Sequence, residues 1–338
     1  MLAQELLPDI TRYIRSNRFK KELGINKGGK INFLAQGEYN LNYLLQIADK
    51  KFVLRVNTAS QLNLPNQIAY EYQALKVLER SGVTPKPYYL DDSKSEFPFG
   101  ILIMEFLPGR HLDYSRDLLK AAKTFAEIHG LDFLKEEINF LKREPGPFTG
   151  IFNEAVSLLT VYFSSPRGDL KVKRILGKVL DYANKNKEQE KYLLREPWLT
   201  LINTEVNSHN FIINEESQTC HLIDWEKPIY GEPAQDLSMF LISTTTLWKG
   251  DYILSLEEEA GFLNEYIRHL SYNPLSKTLI ERVRMFNFFN YLRAVSWCAM
   301  AWTEYTEPGR PLVNMNTFKK IKMYIEMDFI KKSFSEAF

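Results

Sequence analysis

Several residue types that carry common functions are scarce in this chain. Two cysteines and five histidines in 338 residues leave little material for a zinc site. Cys220 and Cys298 stand far apart, with no Cys-x-x-Cys spacing. They are expected as two small buried apolar residues of a chain kept in a reducing, cytoplasmic compartment. No run of about 18 or more apolar residues is present, so no transmembrane helix and no membrane partner are expected. The opening MLAQELLPDI carries early acids and no basic region leading into an apolar run, so it does not read as a signal peptide. Charge of one sign is missing too. Lys and Arg number 43 against 42 Asp and Glu, a net charge of +1, so no nucleic-acid partner is expected. There is no tandem repeat and no low-complexity tract.

What remains is a globular composition, 45% hydrophobic and 25% charged. The 22 Phe and 18 Tyr predict a core packed with rings, or a pocket lined by them. Leu2, Leu6, Ile10, Tyr13 and Ile14 share one face of a helix over 2–17. After Gly24 and the Gly28-Gly29 pair come three strand-like runs, INFLAQ, LNYLLQI (41–47) and KFVLRV (51–56), the last two joined at Ala48-Asp49-Lys50. A helix over about 66–81, stopped by Gly82, and strands at 87–90 and 100–107 complete a five-stranded, mostly antiparallel sheet with one helix. Pro108-Gly109 ends that pattern. Helices are expected near 115–130, 150–164, 167–186, 234–247, 256–270, 276–303 and 316–333, interrupted by strands at 199–203, 211–214 and 220–224. The fold class is α+β. Residues 1–106 form a small sheet lobe, and 107–338 a large helical lobe that carries the substrate pocket.

The stretch LINTEVNSHNFIINEESQTCHLIDWE (201–226) holds the chemistry. A strand ends near Glu205, Asn210 follows five residues later, and a hairpin then delivers Asp224. Phosphoryl transfer asks for such a set. One carboxylate takes the proton of the attacking hydroxyl, while an amide oxygen and a second carboxylate hold Mg²⁺ on the phosphates. Taken singly, Asp224 reads equally as a turn or cap carboxylate and Asn210 as a turn residue. With Asp236 in register they read as metal ligands.

The same stretch resembles the catalytic and metal loops of the aminoglycoside phosphotransferase and choline kinase superfamily, which has a protein-kinase-like, two-lobed fold. Its pattern is H-x-D-x-x-x-x-N, a hairpin, I-D-[WF]-E and G-[DE]-P-x-x-D-L. Here the blocks read Asn203 to Asn210, Ile223-Asp224-Trp225-Glu226, and Gly231-Glu232-Pro233-Ala234-Gln235-Asp236-Leu237. The resemblance implies ATP (or GTP) and Mg²⁺ as cofactors, a small-molecule acceptor, and Asp236 as the structural support of the catalytic loop. It implies further that Gly37-Glu38-Tyr39-Asn40 covers the phosphates, with Gly37 and Asn40 as the family residues. Arg55 takes the place of the phosphate-gripping strand lysine, with Glu71 as its ion-pair partner. Glu105 and Phe106 fall in the hinge that holds the adenine. Ala126-Glu127-Ile128-His129 resembles a structural helix motif.

Two positions depart from the pattern. Asn203 stands for the usual His, and Glu205 for the catalytic Asp. The ordinary pKa values of Glu and Asp, about 4.3 and about 3.9, differ little. The extra methylene, however, moves the carboxylate by on the order of 1 Å, a displacement that can cost about 100-fold. The alternative reading is therefore a nucleotide-binding pseudokinase with a regulatory or scaffolding role. Elsewhere, Trp297, Trp302 and Tyr305 at helical spacing read as core, His209 as a surface histidine, and Lys319, Lys320, Lys322, Lys331 and Lys332 as a solvated helix face.

Overall fold

The computed structural model describes residues 2–37, 39–60, 64–270, 273–309 and 314–338. Three short helices open the chain, α1 (Leu2–Glu5), α2 (Leu7–Tyr13) and α3 (Asn17–Glu22). Strands β1 (Lys30–Gln36), β2 (Asn40–Ile47) and β3 (Lys50–Asn57) precede helix α4 (Gln67–Leu78). Strands β4 (Pro87–Asp91), β5 (Gly100–Glu105) and β6 (Arg110–His111) follow. Four helices come next, α5 (Tyr114–His129), α6 (Pro147–Ser164), α7 (Leu170–Asn186) and α8 (Glu190–Arg195). Strands β7 (Thr200–Ile202), β8 (Phe211–Asn214), β9 (Thr219–Leu222) and β10 (Ile229–Gly231) interrupt the helices. The chain closes with α9 (Pro233–Leu241), α10 (Ser243–Lys249), α11 (Leu256–His269), α12 (Leu279–Tyr305), α13 (Met315–Tyr324) and α14 (Met327–Ser333).

These elements group into two compact units. The first takes the chain through Leu112 together with Leu131–Lys142 and His209–Pro228; the second takes Asp113–Gly130, Arg143–Ser208 and Ile229–Phe338.

In the first unit five strands lie in the order β1-β2-β3-β5-β4, each antiparallel to its neighbour. The period-2 alternation of β2 sends Leu41, Tyr43 and Leu45 to one face. There they pack with Leu54, Val56, Ile101 and Ile103 against Ile10, Tyr13 and Phe19 of the opening helices. Helix α4 packs against β4 and β5. Gly100 permits the close approach, since a Cβ there would come within 2.5 Å of Ile68 Cγ2. Asn66 caps α4 through the Ala69 N–H, and Gly82, at φ +70°, closes the turn after it. A second sheet, β6-β8-β9, belongs to the same unit. It depends on Gly109 at φ +153°, where a side chain would run into the carbonyl oxygen of Ile213.

The second unit is built on α12, against which α6, α9 and α13 pack. The rings of Phe148 and Phe289 stack at 4.3 Å between α6 and α12. Strands β7 and β10 pair antiparallel. The resulting fold class is the expected one, an antiparallel sheet region followed by a mostly helical remainder.

Three expected helices divide in the structure. The single helix expected over 2–17 is two, with Pro8 in the first turn of α2, and Ser16 then turns extended to cap the further helix α3 through the Phe19 N–H. The helix expected over 234–247 divides at Ile242, which takes extended geometry. Its N–H ends α9 on Ser238 O, and its carbonyl receives the first N–H groups of the next helix. The helix expected over 316–333 divides likewise at Ile325-Glu326. Strands β6 and β10, two and three residues long, carry no alternation to read, and α8 was not expected. Trp297, Trp302 and Tyr305 are half-buried rather than core, each against a different ring: Trp248, Tyr162 and Phe318. Both cysteines are buried and free. Among the described residues, no helix is long and apolar enough to cross a membrane.

Candidate functional site

In the first unit two of the candidate residues, Glu71 and Asp224, meet at one buried guanidinium, that of Arg55. Arg55 points from β3, where the strand's alternation places it opposite Asn42 of β2. Its Nε donates to Asn42 Oδ1 at 3.0 Å. Its Nη1 donates to Glu71 Oε1 of α4 at 2.5 Å and to Asp224 Oδ1 at 2.9 Å. Arg55 and Glu71 are 5% and 2% exposed, while the Asp224 side chain keeps 34%. The carboxylate expected to hold Mg²⁺ is thus the solvent-facing member of the trio. Burial works against the charge on Arg55, but Glu71, Asp224 and Glu226 outweigh it and hold its pKa raised. Burial likewise pushes Glu71 up, opposed by Arg55 and by the Trp225 backbone N–H.

The β8-β9 hairpin delivers Asp224. Its closure is backbone work, since the Ile223 N–H donates to Asn210 O at 2.8 Å and brings the ends of the hairpin together. Asp224 then takes φ +66°, a left-handed conformation that Asp tolerates better than most residues. Trp225 is fully buried and anchors the segment through its indole N–H on Leu222 O at 2.9 Å. Glu226 reaches the other way. Its carboxylate accepts from Asn40 Nδ2, and its carbonyl accepts from Gln67 Nε2. Asn40 also accepts from Asn57 Nδ2 at 3.0 Å, and the Gly37 N–H closes the turn on Asn40 O at 2.8 Å. The glycine turn and the Ile-Asp-Trp-Glu segment are therefore tied together inside one unit. Glu38 lies outside the described residues. Glu105 ends β5 with its N–H on Lys86 O and its carboxylate on the Lys86 N–H. The Phe106 ring lies 5.8 Å from the Lys51 ammonium. His209 is exposed, as expected, and stacks flat on His111 at 4.2 Å.

Glu205 belongs to the second unit, on the short loop after β7. Asp236, from α9, is wholly buried and accepts the Asn203 N–H at 2.7 Å and the Thr204 N–H at 2.8 Å. The Asn203 side chain accepts the Glu205 N–H at 3.1 Å. Thr204 is held at φ +71°, which costs a β-branched residue roughly 1–3 kcal/mol and marks a loop fixed by its surroundings. His129 lies 3.6 Å from Asp236 and meets the Tyr266 hydroxyl at 3.2 Å.

Sequence reasoning missed three polar residues of α12, two that hold the segment leading into and along α9 and one that touches this loop. Arg282 is completely buried and pairs with Glu232 at 2.8 Å. Asn290 donates to Gln235 O and Ser238 Oγ, both at 3.0 Å. Arg293 donates to Thr204 O at 3.0 Å and pairs with Glu154 of α6 at 3.0 Å. The sequence offered one weak signal, the spacing of the polar residues at 282, 290 and 293, which brings them onto one side of a helix that carries other polar residues as well.

As ligands for a cation, Asp224 and Asn210 offer hard oxygen donors. Among the described residues no group of three or more His, Cys, Asp or Glu could hold a metal. That donor set suits Mg²⁺, which binds through one or two carboxylates and takes its other ligands from water and substrate phosphates.

The strand order, the buried ion pair and the hairpin define a protein of protein-kinase-like fold. The chain belongs to the phosphotransferase enzyme family, whose model matches residues 30–284. Among solved structures, a choline kinase from Cryptosporidium parvum shares the fold at TM-score 0.65 and 12% identity, covering 98% of this chain and 96% of that one. An ethanolamine kinase from Plasmodium vivax does so at TM-score 0.62 and 15% identity, covering 98% and 95%. A spectinomycin phosphotransferase solved with ADP and spectinomycin does so at TM-score 0.57 and 14% identity, covering 91% and 93%. No curated protein matches the sequence.

Proposed function

We propose that this chain transfers the terminal phosphoryl group of ATP (or GTP) to a hydroxyl of a small molecule. The observation that carries the reading is the Arg55 guanidinium, buried and held between Glu71 and Asp224. A cation fixed by a helix carboxylate, beside a carboxylate that still faces solvent, is an arrangement suited to a polyphosphate and its metal ion. Arg55 grips the phosphates, and the Gly37–Asn40 turn covers them. Glu105 and Phe106 border the nucleobase. Asp224 and Asn210 hold Mg²⁺, which supplies charge neutralisation at the phosphate oxygens when bound.

Glu205 orients the acceptor hydroxyl and takes its proton. The acceptor oxygen forms a bond to the γ-phosphorus as the bond from that phosphorus to the β–γ bridging oxygen breaks, and the nucleoside diphosphate leaves with the bridging oxygen. The chain's part is positioning and charge placement. Two features support a competent loop despite the Glu-for-Asp change. Asn203, which replaces the usual His, accepts the Glu205 N–H, and Asp236 fixes the two residues before it.

The test is calorimetry of MgATP binding to wild type and Asp224→Ala, followed by turnover against amino sugars, choline, ethanolamine, homoserine and ketosamines. Asp224→Ala is expected to lose Mg²⁺-dependent nucleotide binding. Unchanged binding would refute the metal assignment. Wild-type binding with no turnover on any acceptor would favour a pseudokinase.

A further inference from the structure

Arg293 lies outside every recognised motif, yet it touches the loop that carries Glu205. Its Nη1 donates to Thr204 O at 3.0 Å, while its Nε holds Glu154 Oε2 at 3.0 Å. Its side chain is 11% exposed. Burial opposes its charge, but Glu154, Glu205 and Asp236 together hold that charge in place. Thr204, at φ +71°, is therefore clamped on both sides, with its N–H on Asp236 and its carbonyl on Arg293. The peptide between Thr204 and Glu205 is held at both ends, its carbonyl by Arg293 and its N–H by the Asn203 side chain, and the Glu205 side chain leaves from the next Cα.

We infer that Arg293 is a positioning residue for Glu205. From α12 it fixes the Thr204–Glu205 peptide and presents a cation to the Glu205 carboxylate, so that a side chain one methylene longer than the usual Asp is held in a single working orientation. The inference rests on the reading of Glu205 as the proton-accepting group. A longer carboxylate has one more torsion to order, and a guanidinium with its donors in a rigid fork is the side chain suited to order it. Glu154 completes the device by fixing the other edge of the fork, so the guanidinium cannot swing with the carboxylate.

The experiment reads phosphate release from MgATP with water as acceptor, so no acceptor need be known, and nucleotide affinity by calorimetry. The variants are Glu205→Gln, Arg293→Met and Arg293→Lys. Arg293→Met is expected to lower kcat about 100-fold, the effect of a misplacement near 1 Å, with MgATP affinity unchanged. Arg293→Lys, which keeps the charge and one donor, is expected to recover much of that loss. Hydrogen exchange should quicken at the Thr204 and Glu205 amides in Arg293→Met and remain as in wild type across β1–β5.

If Glu205→Gln loses turnover but both Arg293 variants keep it, the inference is overturned and the Glu205 reading survives. If Glu205→Gln keeps full turnover, or wild type releases phosphate no faster than buffer, both fall. Should Arg293→Met fail to fold, Arg293→Lys decides: activity below wild type at unchanged nucleotide affinity supports the inference, and wild-type activity overturns it.

Discussion

Replacing Asp236 with Asn removes one acceptor from a site that uses two. Asp236 is fully buried and accepts the Asn203 and Thr204 N–H groups through separate oxygens, at 2.7 and 2.8 Å. An Asn is nearly the same size, so packing is conserved, but it offers one oxygen and turns an NH₂ toward the other N–H. A hydrogen bond to a charged acceptor contributes about 1.5–3 kcal/mol, and a buried N–H left unpaired costs about 1–3 kcal/mol. The two overlap, since they describe one lost contact. Thr204, if it is the residue released, also relaxes from its left-handed conformation and returns part of roughly 1–3 kcal/mol of strain. The expected net loss is about 2–4 kcal/mol. Urea unfolding of Asp236→Asn, followed by circular dichroism at constant pH, should show an earlier midpoint with an unchanged slope. Phosphotransfer should fall by about 100-fold as the loop moves by on the order of 1 Å. A variant that unfolds at the wild-type midpoint and turns over at the wild-type rate would refute the account of Asp236 as the loop's anchor.

Arg55→Met should cost about 3–5 kcal/mol in urea unfolding, because it leaves Glu71 buried without its cation. The double variant Arg55→Met/Glu71→Leu should regain most of that stability but not nucleotide binding; a double variant no more stable than the single one would contradict this. Glu232 supplies a pH signature. Burial raises its pKa from 4.5 to about 7, against the Trp198 N–H and Arg282, and its Oε2 is buried with no hydrogen-bond partner. The unfolded chain therefore releases this proton first as pH rises. Between about 4.5 and about 7 the unfolded state binds fewer protons than the folded one, so stability falls across that window and is level above it. The drop is on the order of 3 kcal/mol at about 1.4 kcal/mol per pKa unit. Denaturation midpoints from pH 4.5 to 8 should show this slope in wild type and a flatter one in Glu232→Gln. Identical slopes would contradict it.

The sequence by itself determined the sheet, because a strand's alternation is local. Leu41, Tyr43 and Leu45 declare a buried face whatever surrounds them, and Gly82 declares a helix end. It determined the family as well, since the Ile-Asp-Trp-Glu and Gly-Glu-Pro-x-x-Asp-Leu segments are contiguous and their spacing is legible. Helix breaks at Ile242 and at Ile325-Glu326 were not legible, because no Pro or Gly marks them and the extended residues are chosen by packing. The same limit hid the support of the Glu205 loop. That Asp224 shares a guanidinium with Glu71, or that Arg293 grips Thr204 from 89 positions away, is a fact of spatial neighbours. A periodic pattern reports which way a residue faces along its own element, and only the tertiary structure decides what it meets there.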